Sequence, residues 1–476
     1  MKKKFLAIVI CLLLLLPSMT LPTSANSAQQ HWSGRNGSGV IITDGDSPII
    51  VESELLTFDI NEFPSNYYYD LESFLAYDSR VTAEYTFYNP SDMTVTATLV
   101  FPFGSMPDYA YSYEDVELQK YDVKINGQVI ESDLRHTLSF SGKDFDLERD
   151  LPLLSDEYLT YGIYTPDAVV TIYKFSIDGV SEENMRAVSF AFDIDPADTD
   201  RKYYLPSMAG YQIQKDGDER LVGWYRNNES FALYVIGEPL SEMPEWRLYQ
   251  NGAAEDGEEI SGSISLIATE SMTFEDLAMT GYDEEGDVSR VDWYNAVVTD
   301  FATSDKSERI ASPYGYKSGY RGDLLRWYQY EITLAPGERL VNSVSAPIYP
   351  DINMLYVPTI YDYTYLLSPA STWSEFGRLD IVINTPYYMT DCSIDGFEKT
   401  ENGYKATLNG LPRDEEGKYI DLDFTLSTDE NPIRESQTPS GIMRNIVYFI
   451  AFYWPLLLLI LLGVAVIVII IIKKKR

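Results

Sequence analysis

The chain has 476 residues, with 73 Asp and Glu against 36 Lys and Arg and a net charge of −37. So negative a surface repels nucleic acid and anionic lipid headgroups, which excludes the nucleic-acid-binding classes. Two His and two Cys in the whole chain leave a zinc site short of ligands and a Ser-His-Asp triad nearly without a base.

A basic start at residues 1–4 leads into the apolar run 5–16, then Pro17 and small residues at Ala25 and Ala28. This is the layout of a secretory signal over 1–28, and its apolar run is too short to cross a bilayer. Cys11 falls inside that run, so only Cys392 remains after its removal and no intrachain disulfide can form. A large exported chain without disulfides fits a Gram-positive envelope. Residues 29–49, rich in Gly and Ser, predict an irregular N-terminal segment.

Next, Val81, Ala83, Tyr85 and Phe87 alternate with polar residues, and Val95, Ala97, Leu99 and Phe101 repeat the pattern after Asn89-Pro90-Ser91-Asp92. The spacing predicts a hairpin. Asn126-Gly127, between strands at 121–125 and 128–131, predicts a second hairpin with a type I′ turn. Strands at 169–177, 188–194 and 231–236 complete a first β-sandwich unit over 50–245. Residues 246–324 read as a join with a helical insertion, in which 264–268 can still pair as a strand. Thr273 is a candidate N-cap ahead of Glu275 and Asp276. Asp287 or Ser289 opens another helix, with Val291, Tyr294, Ala296, Val297 and Phe301 on its apolar face. A second β-sandwich unit is predicted over 325–427, from strands at 327–334, 340–346, 379–383, 404–408 and 420–426. The first two of these meet at Pro336-Gly337. A polar stalk follows at 428–445.

The charge-free run 446–472 would make roughly 40 Å of helix, beyond the ~30 Å apolar core of a bilayer. Its aromatic residues Tyr448, Phe449, Phe452, Tyr453 and Trp454 suit the outer headgroups, and the basic tail 473–476 suits the cytoplasm. The expected architecture is mainly β: two β-sandwich units with a small helical insertion, plus one C-terminal transmembrane helix.

The acidic clusters Asp44-Gly45-Asp46, Asp216-Gly217-Asp218-Glu219 and 283–287 are each built around Gly and lack calcium-loop spacing. They read as turns, and no metal is expected. Arg321-Gly322-Asp323 matches the integrin-binding tripeptide but reads as a turn leading into a strand. No complete catalytic set and no cofactor motif is legible. What stands out is tyrosine, 38 residues against 20 Phe. Tyr109, Tyr111 and Tyr113, and again Tyr361, Tyr363 and Tyr365, stand at strand spacing, which aims each row to one face. With Trp373, these rows are the candidate binding surface, aromatic platforms for sugar rings. The opposing reading is that Tyr is a favoured strand residue and the rows are core.

The segment 81–104, with Tyr85-Thr86-Phe87-Tyr88-Asn89-Pro90 and Phe101-Pro102-Phe103-Gly104, resembles the opening hairpin of vault/inter-alpha-trypsin-type β domains. Tyr234-Val235-Ile236-Gly237, Leu334-Ala335-Pro336-Gly337-Glu338 and 366–373 are similar to an uncharacterised family of Gram-positive surface proteins with a signal peptide and a C-terminal anchor. The resemblance implies fold and location and carries no catalytic assignment. The expected function is that of a non-enzymatic cell-surface protein, single-pass in the plasma membrane with an extracellular ectodomain. Its expected partner is a membrane protein, a wall polymer or a glycan, with no nucleic acid and no cofactor. The alternative is an extracellular carbohydrate-active enzyme using paired carboxylates. Protease applied to intact, wall-stripped cells should digest nearly the whole mature chain and spare only the anchor, read by immunoblot. A large protected fragment would reverse this orientation.

Overall fold

The computed structural model describes residues 37–43, 45–64, 77–104, 121–140, 145–180, 188–195, 197–214, 217–225, 230–250, 258–313 and 324–439, with positions 443, 472 and 473. The expected signal at 1–28, the tripeptide 321–323 and the apolar run 446–471 lie outside them. Among the described residues no helix is long and apolar enough to cross a membrane.

Alternation does predict the strand Arg80–Tyr88, which turns Val81, Ala83, Tyr85 and Phe87 inward. It does not pair with Val95–Gly104, however. Its neighbours are Ile50–Asp59 and Arg339–Pro347, whereas Val95–Gly104 pairs with Leu324–Leu334 in another sheet. The expected hairpin is therefore an arch between two sheets. The apolar rows of its two strands meet across one core instead of lying side by side. The turn at Pro336-Gly337 is a second arch of the same kind, since Leu324–Leu334 and Arg339–Pro347 also belong to different sheets.

Asn89 ties the two arches together. Its backbone N–H donates to the Glu338 carbonyl at 3.0 Å, and its own carbonyl accepts from Gly337 at 2.9 Å. The side-chain amide donates to the carbonyls of Met93 (2.8 Å), Leu334 (3.0 Å) and Ala335 (3.2 Å). Asn89 is fully buried, as is Leu334, whereas Met93 and Ala335 lie at the surface. The Asn126-Gly127 hairpin forms as predicted: Asp122–Ile125 pairs with Gln128–Val129, and the turn residues have φ of 49° and 80°.

Three sheets share the largest core. An eight-stranded sheet runs in the order 398–400, 403–409, 376–384, 50–59, 80–88, 339–347, 122–125, 128–129. A four-stranded sheet runs 41–42, 95–104, 324–334, 133–138, and a five-stranded one combines 37–38, 360–366, 422–427 and 388–392 with 351–353. Leu56, Phe87, Leu99, Ile332, Leu379 and Phe424 all lie in that core, so residues from both ends of the described chain build it jointly. The strands expected to form separate units at 50–245 and 325–427 are thus interleaved. The parallel pairing of Ile50–Asp59 with Phe376–Asn384 makes this plain, because local turn chemistry cannot join strands so far apart in sequence.

The rest of the chain forms an excursion. Leu138 and Leu324 are cross-strand partners, and between them the chain builds two further five-stranded sheets. Phe175, Phe190, Phe192, Leu221 and Leu233 fill the space between those sheets. A helical layer packs Phe274, Tyr294 and Phe301 on Val170, Ile172 and Tyr204. Thr273 caps the Phe274–Ala278 helix through a capping box with Asp276, and Ser289 caps Arg290–Thr303. Both caps are local features and stand where the sequence puts them. The polar stalk is less free than expected: Ile433–Arg434 pairs with Tyr356–Val357, and Glu435 N–H donates to the Leu355 carbonyl at 2.7 Å.

Asn89→Ala should cost about 2 kcal/mol by removing the amide that bridges the two arches and taking a donor from the buried Leu334 carbonyl. Urea unfolding of the purified chain would read this, and a cost below 1 kcal/mol, or about that of a surface change, would deny Asn89 its place as the tie.

Candidate binding cleft

Tyr109, Tyr111 and Tyr113 lie outside the described residues. Tyr361, Tyr363 and Tyr365 stand on the strand Ile360–Leu366, and the expected exposed face is instead core. Tyr363 is 0% and Tyr365 1% exposed. Tyr363 stacks on Phe424 at 5.2 Å and shares a hydrogen bond with the Tyr77 hydroxyl at 2.8 Å. Tyr365 meets Phe58 edge-on at 5.8 Å. Tyr361, half-buried, stacks on Phe63 at 3.8 Å. The cause is the strand's position: its tyrosine face turns toward the eight-stranded sheet, while Asp362 and Thr364 bond Thr425 and Asp423 on the adjacent strand.

Trp373, the other predicted residue, sits where a real concavity opens. After Leu367 the chain makes a 3-10 turn, Ser368–Thr372, whose start is held by Asp421 accepting from the N–H groups of Leu367 and Ser368, both at 2.8 Å. Trp373 follows, its indole stacked on Phe87 at 4.6 Å. It forms one wall of an open cleft of ≈ 440 Å³, with Glu375, Phe376, Asn409, Arg413 and Tyr419 among the other lining residues.

A small loop brings Arg413 and Tyr419 to the same cleft. The Asp414 carboxylate accepts from the N–H groups of Glu416 (2.9 Å) and Lys418 (2.8 Å), and Gly417 takes φ 85°, a turn open to Gly at little cost. This turn brings Tyr419 back against Arg413. The guanidinium lies over the phenol ring at 3.9 Å and donates to the Gly417 carbonyl at 2.8 Å and to the Tyr419 hydroxyl. An arginine held flat in this way keeps further N–H donors at the cleft. Donors on Arg413 and Asn409, one acceptor on Glu375, and rings at Phe376 and Tyr419 suit a polar ring-shaped ligand, while Trp373, 5% exposed, offers it little surface.

No family model matches the chain, and no curated protein is similar to it. Among solved structures, it is similar to the crystal structure of a protein of Legionella pneumophila subsp. pneumophila str. Philadelphia 1, described provisionally as a nutrient binding protein. The identity is 9% and the TM-score 0.26, over 82% of this chain and 70% of that one. That likeness is too slight to carry fold or ligand across.

Among the described residues no group of three or more His, Cys, Asp and Glu is placed to hold a metal ion. Of the acidic clusters, Asp283 closes a turn by accepting from Glu285 N–H at 3.1 Å, as its Gly spacing predicts.

A polar thread runs from the cleft wall into the core. The Trp373 indole N–H donates to the Val40 carbonyl at 2.9 Å, and Val40 N–H donates to the Tyr85 hydroxyl at 3.2 Å. Beside Tyr85 lies Glu54, 1% exposed, its carboxyl facing the Tyr85 hydroxyl, which offsets only part of the cost of burying it. A bulge at Glu52 puts it there: Val51 faces Phe87, yet Ser53 faces Thr86, so Glu54 comes opposite Tyr85. The shift turns Leu56, Phe58 and Ile60 into the core and carries Glu54 with them. The neighbouring Gly377 makes room, since a Cβ there would sit 2.2 Å from the Glu52 carbonyl oxygen.

Burial pushes the Glu54 carboxyl up to about 8 from its ordinary 4.5, so it is a neutral acid at pH 7. The folded chain then holds a proton that the unfolded chain has released. Stability from this group is complete below its ordinary value and is lost as pH rises through about 8. Glu54→Gln should raise the melting temperature at neutral pH and flatten the decline between about pH 5 and pH 8. An unchanged slope in the variant would assign the decline to another group.

Proposed function

We propose that the protein is a non-enzymatic, membrane-anchored surface protein that binds a neutral glycan of the cell wall in the cleft beside Trp373. The observation that carries this reading is the Arg413–Tyr419 pair lining an open cleft together with Phe376, Asn409 and Glu375. Aromatic faces hold the apolar side of a sugar ring, while Arg, Asn and Glu side chains match its hydroxyls. The acidic composition supports a neutral ligand over an anionic polymer, which so negative a chain would repel. The signal-like start and the apolar run 446–472 support export and anchoring.

Hydrolysis of a glycan would call for two carboxyls across the groove, about 5–10 Å apart. Glu375 is the one carboxylate among the lining residues, which favours binding over the carbohydrate-active alternative.

Arg413→Ala and Tyr419→Ala should each lower retention on purified wall polysaccharide about tenfold, as expected of a central aromatic or Arg contact. Val129→Ala, at an exposed position in a different hairpin, should leave retention unchanged. Equal retention by all three variants would remove the cleft from the binding site.

A further inference from the structure

The large exposed hydrophobic residues are not scattered evenly. Met354 (72% exposed), Leu355 (68%), Val357 (48%) and Ile433 (46%) come together on one small structure. Met354 and Leu355 form the turn after the strand Asp351–Asn353, and Val357 is the ladder partner of Ile433. The turn is fastened below by Leu355 N–H on Asn353 Oδ1 at 3.1 Å and by Glu435 N–H on the Leu355 carbonyl. Arg434 lies over the Tyr356 ring at 5.6 Å and donates to its hydroxyl at 3.1 Å. An apolar tip beside an Arg–Tyr pair is composed like a membrane-interface contact.

The position in the chain says what would cover it. Ile433 opens the last described strand, the described stretch runs on to Pro439, and the apolar run opens at Ile446. From Pro439 to Ile446 the chain spans about 10 Å if helical and no more than about 25 Å if extended. A body tethered that closely cannot hold this tip far from the bilayer surface. The backbone around the tip is bonded to the very segment that leads to the anchor, so the distance is set by few free residues.

We propose that the apolar tip formed by Met354, Leu355, Val357 and Ile433 rests in the headgroup region of the outer leaflet and holds the ectodomain's base against the membrane. This rests on the reading of 446–472 as the transmembrane helix. Burying these side chains at the interface removes apolar surface from water, and no charged lipid is needed. The exposed acids Asp429 and Glu430 close by set the preference toward zwitterionic headgroups.

The test uses the full chain with both cysteines replaced (Cys11→Ser, Cys392→Ser), reconstituted in phosphatidylcholine liposomes. A nitroxide is attached at Met354→Cys, at Val464→Cys within the apolar run, or at Val129→Cys as a control in water. Power-saturation spectra compare collisions with oxygen, which favours lipid, and with a nickel chelate, which favours water. The proposal expects the oxygen-to-nickel ratio at Met354→Cys to rise severalfold over that at Val129→Cys, toward the value at Val464→Cys. A high ratio at Val464→Cys with a Met354→Cys ratio equal to the control overturns the proposal while the anchor stands. A low ratio at Val464→Cys overturns the anchor reading and the proposal with it. Shielding of Met354→Cys that grows with protein-to-lipid ratio assigns the tip to a second copy of the chain, and also overturns it.

Discussion

A buried ion pair at the neck of the excursion sets how the helix Arg290–Thr303 meets the strand Asp133–Leu138. The chain leaves the four-stranded sheet after Leu138 and re-enters it at Leu324, directly opposite. Arg135, near the neck, donates to both carboxyl oxygens of Asp292 at 3.0–3.2 Å and also to Asp156, Gln329 and the Ser155 carbonyl. His136 N–H donates to Asp292 as well, at 2.9 Å. Asp292 is buried in the first turn of the Arg290–Thr303 helix, where the helix dipole favours its charge. A pair this enclosed adds little net stability against an apolar alternative, but breaking it strands a charge at a cost of about 3–5 kcal/mol. It therefore fixes which helix face meets which strand. Burial also pushes His136 down to about 4, so its ring stays neutral beside Arg135 and does not compete for the carboxylate.

The same logic of local cost and distant gain explains the bulge at Glu52. One extra residue places three large apolar side chains in the core and forces one acid in among them. A neutral acid costs far less than a bare carboxylate in the same place, so the core tolerates Glu54 as long as it keeps its proton. The outer surface of the five-stranded sheet shows a milder version. There Asp362 is raised by burial and by Asp351, its direct cross-strand partner, with Asp391 and Asp423 nearby. An acidic chain that folds into many small sheets cannot keep every carboxylate apart.

These cases mark what was legible in the sequence. Period-two alternation located Arg80–Tyr88, Val95–Gly104 and Leu324–Leu334, because the period is a property of one strand and its two faces. It could not name the neighbour: nothing in 81–101 distinguishes a hairpin from an arch, and the strand that pairs with Ile50–Asp59 in parallel lies at Phe376–Asn384. Helix caps at Thr273 and Ser289 and the Asn126-Gly127 turn were legible because their partners lie within a few residues. The row Tyr361, Tyr363 and Tyr365 was correctly seen as sharing a strand, yet spacing does not say whether that face meets solvent or another sheet. For the cleft, the Asp414-to-Gly417 turn was a readable signal that went unused. Trp373, which lines the same cleft, is joined to it only by tertiary structure.

The cleft and the strand Leu422–Ser427 are close neighbours, and on the proposed reading this bears on what a wall-bound surface protein would experience. Asp421, which holds the turn before Trp373, directly precedes the strand Leu422–Ser427. That strand is bonded on both sides, to Ile360–Leu366 and to Tyr388–Cys392, and the chain then continues to Ile433–Arg434. On the proposed reading, a load between a glycan in the cleft and the anchor passes along this strand. The ladder bonds on both sides of the strand would share such a load. None of the cleft's lining residues comes from the excursion between Leu138 and Leu324. That body of strands lies off the load path, which leaves its long exposed edge strand Ser263–Thr273 free to vary without cost to attachment.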